Sequence, residues 1–149
     1  MSRTVVELRQ PVRAPAQRVW DAVVDWPAQG EWMLGTRVDV RRGDGESVGS
    51  EVAAFTGLGP LGFLDTMTIT EWDPPRRCVV RHTGRVVRGD GIFEVVADGP
   101  RASTFVWREE LDLPLGALGR LGWPLAKPPF ALGVRYSLRK LARYCEARA

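Results

Sequence analysis

The chain has 149 residues, of which 44% are hydrophobic and 26% charged, the size and balance of one globular domain rather than of a multidomain machine. Its 21 Lys and Arg against 18 Asp and Glu leave a formal charge of +3, a small excess, whereas a nucleic-acid-binding protein usually concentrates its basic residues on one face. A chain of this length buries roughly two-thirds of its unfolded surface, so a core can form without metals or disulfides.

Six Trp share the chain with 16 Gly and 11 Pro, so large side chains and many turns occupy one small body. The basic residues are nearly all arginines, and the dense runs are balanced by nearby acids except in the last segment, Arg135 to Arg143. Cys78 and Cys145 have neither CxxC nor metal-ligand spacing and fit reduced cytoplasmic thiols used as small core residues. Arg3, Glu7 and Arg9 interrupt the N-terminal segment, which therefore does not read as a signal peptide, and no apolar run approaches a membrane span. Nearly the whole chain, 1–149, is expected to be one mature domain.

Thr4 to Val12 is rich in β-branched residues and reads as the first strand. After Ala14-Pro15, the spacing of Val19, Trp20 and Val23 predicts a short helix, which Asp25-Trp26-Pro27 breaks before a second one. From Thr36 the period shifts from helix to sheet. Val38 to Arg42, a Gly-Asp-Gly-Glu turn and Gly49 to Phe55 make a hairpin. Phe63 to Trp72 alternates with period two, with Asp65, Met67 and Ile69 on one face. Arg77 to Arg85, Val86 to Ala97 and Ala102 to Leu113 complete seven strands, separated by Asp73-Pro74-Pro75 and Asp98-Gly99-Pro100 turns. Phe130 to Ala147 is then an amphipathic helix whose stripe is Val134, Leu138, Leu141 and Cys145. An antiparallel meander needs one apolar face covered, and only this helix is large enough to cover it. The sheet should curl around the helix and leave a concave, mostly apolar space, the usual kind of ligand pocket.

In this order and length, Val12-Arg13-Ala14-Pro15, Val19-Trp20, Asp25-Trp26 through Glu31-Trp32, the Trp72-Asp73-Pro74-Pro75 turn and the terminal amphipathic helix resemble one group of proteins. The chain resembles the START-like superfamily (SRPBCC), in particular the bacterial polyketide cyclase/dehydrase and lipid-transport-like proteins, across nearly all its residues. The resemblance implies an α+β, helix-grip (START/Bet v 1-like) fold: a curved seven-stranded antiparallel sheet around a long C-terminal helix, with two short helices after the first strand. It implies an internal hydrophobic cavity but no single reaction.

Four polar residues are candidates for chemistry in that cavity. Asp65 shares its face with apolar neighbours, where a desolvated carboxylate becomes an acid or base or recruits a donor. His82, the only histidine, shares a face with Cys78 and Val80. Glu109 has the inward parity of Phe105, Trp107 and Leu111, and a pair with Arg81, or with His82 given a bulge, would be the best acid/base unit. Each also has a structural reading, as a wet strand end or a satisfied core group. Trp26 and Trp32 either pack the sheet end or line the entrance. Phe93 and Trp107 are expected on the cavity wall, with Phe55, Met67, Ile69, Trp123, Val134 and Leu138 completing the lining. A lone histidine cannot build a zinc or iron cluster, and no P-loop, GxGxxG or GxSxG signature exists, so neither metal nor cofactor is expected.

The segment 114–130 is rich in Leu, Gly and Pro and reads as a lid, an interface, a membrane-touching patch or a short packed helix. The glycine-rich stretch 55–62 would form the other half of a cavity mouth. Three functions follow. The first is binding or carriage of a hydrophobic small molecule, such as a lipid, polyketide or aromatic metabolite. The alternative is an aromatase/cyclase or related lyase, which requires at least two of Asp65, Arg81, His82 and Glu109 within hydrogen-bond reach of each other or of one bound ligand atom. The third is a homodimer or other protein contact through 114–130.

Overall fold

The computed structural model describes residues 3–58, 60–85, 87–112 and 117–148. The elements are β1 (Arg3–Val12), α1 (Ala16–Val23), a single 3-10 helical segment (Trp26–Glu31), β2 (Thr36–Arg42), β3 (Glu51–Leu58), β4 (Leu61–Asp73), β5 (Arg77–Thr83), β6 (Arg88–Ala97), β7 (Ser103–Asp112) and α2 (Ala117–Glu146). All seven strands form one antiparallel sheet in the order β1-β7-β6-β5-β4-β3-β2. Consecutive strands pair by hairpins from β2 to β7, whereas β1 crosses to the far edge to pair with β7. The short helices make that crossing, which is why a helical insertion follows the first strand.

The concave face carries the core. Val6, Leu8 and Val12 of β1, Val38 of β2, Val52 and Ala54 of β3, Ile69 of β4, Cys78 and Val80 of β5, Val95 of β6 and Phe105 of β7 are buried; their neighbours are wetter except in β3 and β7, where Ala53 and Val106 are buried too. Val19, Trp20 and Val23 of α1, together with Leu138, Leu141, Ala142 and Cys145 of α2, close onto them. Burying each of these large side chains stabilises the fold by about 1.5–3 kcal/mol relative to exposure. A register shift in β4 between Ile69 and Glu71 reverses the parity. Trp72 therefore turns inward opposite Cys78 and meets Trp20 edge-to-face at 5.2 Å.

Two expectations change. The terminal helix does not begin at Phe130: it is 30 residues long and runs through Pro124, Pro128 and Pro129. Each proline removes an amide donor from the interior of the helix, but all three are exposed, so water can satisfy the carbonyls they leave without partners. Residues 114–116 lie outside the described residues. The stretch 55–62 is not an open glycine loop; Phe55 ends toward the tip of β3, and Leu61 and Gly62 already pair in β4.

Candidate acid–base site

The central feature of the concave face is a chain of four side chains. His82 Nδ1 lies 2.8 Å from Asp65 Oδ1, and His82 Nε2 lies 2.9 Å from Glu109 Oε2. The indole Nε1 of Trp107 donates to the other Glu109 oxygen at 2.9 Å. Strand register produces this grouping. Met67, opposite His82, is two residues from Asp65, so the β4 carboxylate and the β5 imidazole share the concave face. Val80 pairs with Gly91, and Gly91 with Glu109, which places Glu109 two strands from His82 on the same parity.

The intervening strand has no side chain to obstruct them. Gly89 and Gly91 are the inward positions of β6 between His82 and Glu109, and a Cβ on Gly91 would sit 3.2 Å from both Glu109 oxygens and 3.1 Å from Val80 Cγ2. Gly89 has φ +116°, and its Cβ would collide with the Glu110 carbonyl. No bulge in β5, β6 or β7 is needed for the His82–Glu109 pair: across a glycine gap, next-nearest strands meet in their ordinary register. The expectation that only a bulge could pair them is corrected here. Gly89 and Gly91 are the functional positions that sequence reasoning missed, and their i,i+2 spacing opposite His82 was the available signal.

The His82 side chain is 3% exposed, against 14% for Asp65 and 12% for Glu109. Burial disfavours the imidazolium, but the hydrogen bonds to Asp65 and Glu109 and the charges of both groups outweigh it, and the His82 pKa is pushed up to about 10. With both nitrogens as donors, His82 is held as a cation and has no ring atom left for a ligand. Asp65 differs. One of its oxygens receives His82, and the other has no hydrogen-bond partner among the described residues. Asp65 therefore presents the free acceptor of the group, and His82 and Glu109 position it.

Arg81 is not part of this site. It has the opposite parity on β5 and pairs on the outer face with Asp90 at 3.3 Å, its side chain 65% exposed. Phe55 also faces outward, beneath the Arg37 guanidinium at 5.4 Å, in a surface groove of about 400 Å³ with Thr36 and Gly57. Ile69, Trp32 and Leu138 are closed into the core. Trp26 is buried as well, its indole donating to the Gly45 carbonyl at 2.8 Å. Met67, Phe93 and Trp107 are half-buried on the concave face, and Trp123 and Val134 lie half-buried on the side of α2 that carries Leu138 and Leu141. Phe93 meets Phe105 at 5.3 Å and Trp107 at 5.4 Å edge-to-face, and Trp26 at 6.4 Å in a stack, forming an aromatic wall beside the acid–base group. A second groove, of about 390 Å³ between α1 and the end of α2, is lined by Arg18, Asp21, Tyr144 and Cys145 and lies apart from this wall.

A curved antiparallel sheet folded about a long helix, with a hydrophobic cavity, defines a helix-grip protein. The chain belongs to the family described as polyketide cyclase / dehydrase and lipid transport, which it matches over residues 3–146. Zhui aromatase/cyclase from Streptomyces sp. R1128 superposes with a TM-score of 0.81 at 15% identity, covering 99% of this chain and 96% of that one. A START superfamily protein from Mycobacterium smegmatis gives 0.75 at 14% identity, covering 97% and 99%. The di-domain aromatase/cyclase BexL from the BE-7585A biosynthetic pathway gives 0.71 at 16% identity; 96% of this chain spans 46% of that one. At these identities the likeness is one of fold. No curated protein matches the chain. Among the described residues no helix is long and apolar enough to cross a membrane.

Proposed function

We propose that the protein is an aromatase/cyclase or related lyase that acts by general acid–base catalysis in its hydrophobic cavity. The observation that carries this reading is the hydrogen-bonded Asp65–His82–Glu109 group on the concave face. A cavity that only stores an apolar molecule has no use for three titratable groups drawn out of water, whose burial costs free energy unless they are paired. The names of two fold relatives, both aromatase/cyclases, point the same way.

In this reading the unbonded oxygen of Asp65 takes a proton from an activated methylene between two carbonyls of a poly-β-keto chain. The carbanion electrons form a carbon–carbon bond to a second carbonyl of the same chain as its π bond breaks, and Asp65 returns the proton to that oxygen, which becomes a hydroxyl. Asp65 then takes the remaining proton of the same carbon as the carbon–oxygen bond breaks and passes it to the departing hydroxide, which releases water and leaves a carbon–carbon double bond; enolisation of the ring ketones completes the aromatic ring. His82, through its Nδ1 hydrogen bond, holds Asp65 in position, and Glu109, anchored by Trp107, keeps the imidazole in place. The aromatic wall holds the chain folded, which converts the bond formation into an oriented intramolecular step.

The test is turnover of a short poly-β-ketone carried as an N-acetylcysteamine thioester. Asp65→Asn, which keeps shape but cannot take the proton, should lower turnover by about 10²–10⁴-fold while leaving quenching of tryptophan fluorescence by the substrate intact. Glu109→Gln should lower it less. Wild-type turnover unchanged by both substitutions would overturn the catalytic assignment, and saturable binding without any turnover by the wild type would return the cavity to carriage of a hydrophobic molecule.

A further inference from the structure

The outer face of α2 bears a feature that the cavity does not use. Leu121, Leu125 and Leu132 are 74%, 82% and 69% exposed. At 100° per residue they fall within an arc of about 40°, on the side opposite Leu138 and Leu141. Arg139 and Arg143 continue the same arc toward the C-terminus, with Arg135 beside it, all three exposed. Six of the 21 Lys and Arg lie between residues 117 and 145, with no Asp or Glu among them, so the rest of the chain is net acidic.

We propose that this face of α2 docks on an anionic lipid bilayer surface, the leucines entering the interface and the Arg135, Arg139 and Arg143 side chains meeting lipid headgroups. The charge distribution selects this occupant. A second copy of the chain would bring an identical acid-free helix against the first, positive on positive, in the self-complementary contact that a twofold dimer requires. A bilayer makes no demand on shape and rewards this combination of apolar stripe and basic flank. The proposal is independent of which chemistry the cavity performs, and it gives the exposed leucines a role that packing inside the protein does not.

The experiment is sedimentation of the full chain with vesicles of phosphatidylglycerol and phosphatidylcholine in equal parts, against vesicles of phosphatidylcholine alone. Binding is expected on the anionic vesicles at low salt and should fall in 0.5 M NaCl, where charges a few ångströms apart are screened. The triple variant Leu121→Ser, Leu125→Ser, Leu132→Ser should lose it. Arg139→Glu with Arg143→Glu should weaken it by roughly fivefold or more per charge removed. These side chains are exposed, and melting curves that match wild type establish that the variants fold. No binding to anionic vesicles at low salt overturns the proposal. So does binding that survives the leucine substitutions, since it would be charge adsorption alone. A dimer in light scattering that those substitutions dissolve, without vesicle binding, assigns the face to a second copy instead.

Discussion

His82 carries a proton that the unfolded chain would give up. Its pKa rises from 6.5 to about 10 on folding, so the stability this contributes is fully present below pH 6.5 and is lost as pH rises through about 10. Between those limits the unfolded state has released the proton and the folded state retains it, a slope of about −1.4 kcal/mol per pH unit for a single group. Burial pushes the Cys78 thiol up to about 12 and the Cys145 thiol to about 11, from 9.0, which adds a loss of the same sign only above pH 9. Urea unfolding between pH 7 and 8.5 should therefore show falling stability in the wild type and a flatter profile in His82→Gln. A profile unchanged by that substitution would remove His82 from the titration. Gly91→Val tests the same group from its neighbour. Its side chain would enter the space that the Glu109 carboxylate occupies, so it should cost about 1–3 kcal/mol and lower the His82 pKa, as followed by imidazole proton resonances. An unshifted His82 resonance would show that the glycine gap does not govern the contact. The individual facings of Asp65, His82 and Glu109 were readable from period-two patterning. Their meeting was not, because it depends on which residues of a third strand lie between them.

Strand order and helix order were readable from turn chemistry and periodicity, and the elements lie where Asp73-Pro74-Pro75 and Asp98-Gly99-Pro100 place the turns. The start of α2 was not readable, because Pro124, Pro128 and Pro129 signal a break in any local reading. Phe55 was misread because it lies next to the glycines of a hairpin tip, a position that resembles a loop. The two halves of α2 should behave as different materials. Leu138 is 1% exposed and Leu125 82%, so Leu138→Ala should cost about 2–5 kcal/mol and Leu125→Ala less than about 0.5. Denaturant midpoints separate the two, and equal losses would mean that the N-terminal half packs as firmly as the C-terminal half. Replacing Pro128 and Pro129 by Ala favours the helix by about 3 kcal/mol per site in intrinsic propensity. Because the first half makes few packing contacts, that gain should appear as slower amide exchange over 119–133, with little change in the global midpoint. A large rise in the midpoint instead would show that the two halves unfold together.

For the molecule as a whole, the composition that first suggests crowding resolves into a division of labour. Trp20 and Trp72 meet in the core, Trp26 stacks on Phe93, Trp107 anchors the acid–base group, and the glycines serve the turns and the gap in β6. The small net charge conceals a basic helix laid over a net acidic sheet and short helices. The pairing of β1 with β7 also sets an order of events during synthesis. β1 leaves the ribosome before the other six strands, yet its sheet partner among the described residues, β7, is the last of them to be made. The hairpins from β2 to β7 can close one by one as they emerge, but β1 must wait, its edge unsatisfied, until Asp112 is free. Nascent chains that end before β7 should have protease-sensitive N-termini, and those extended past α2 should be resistant. Until then the N-terminal strand is exposed to chaperones and to the strands of neighbouring chains.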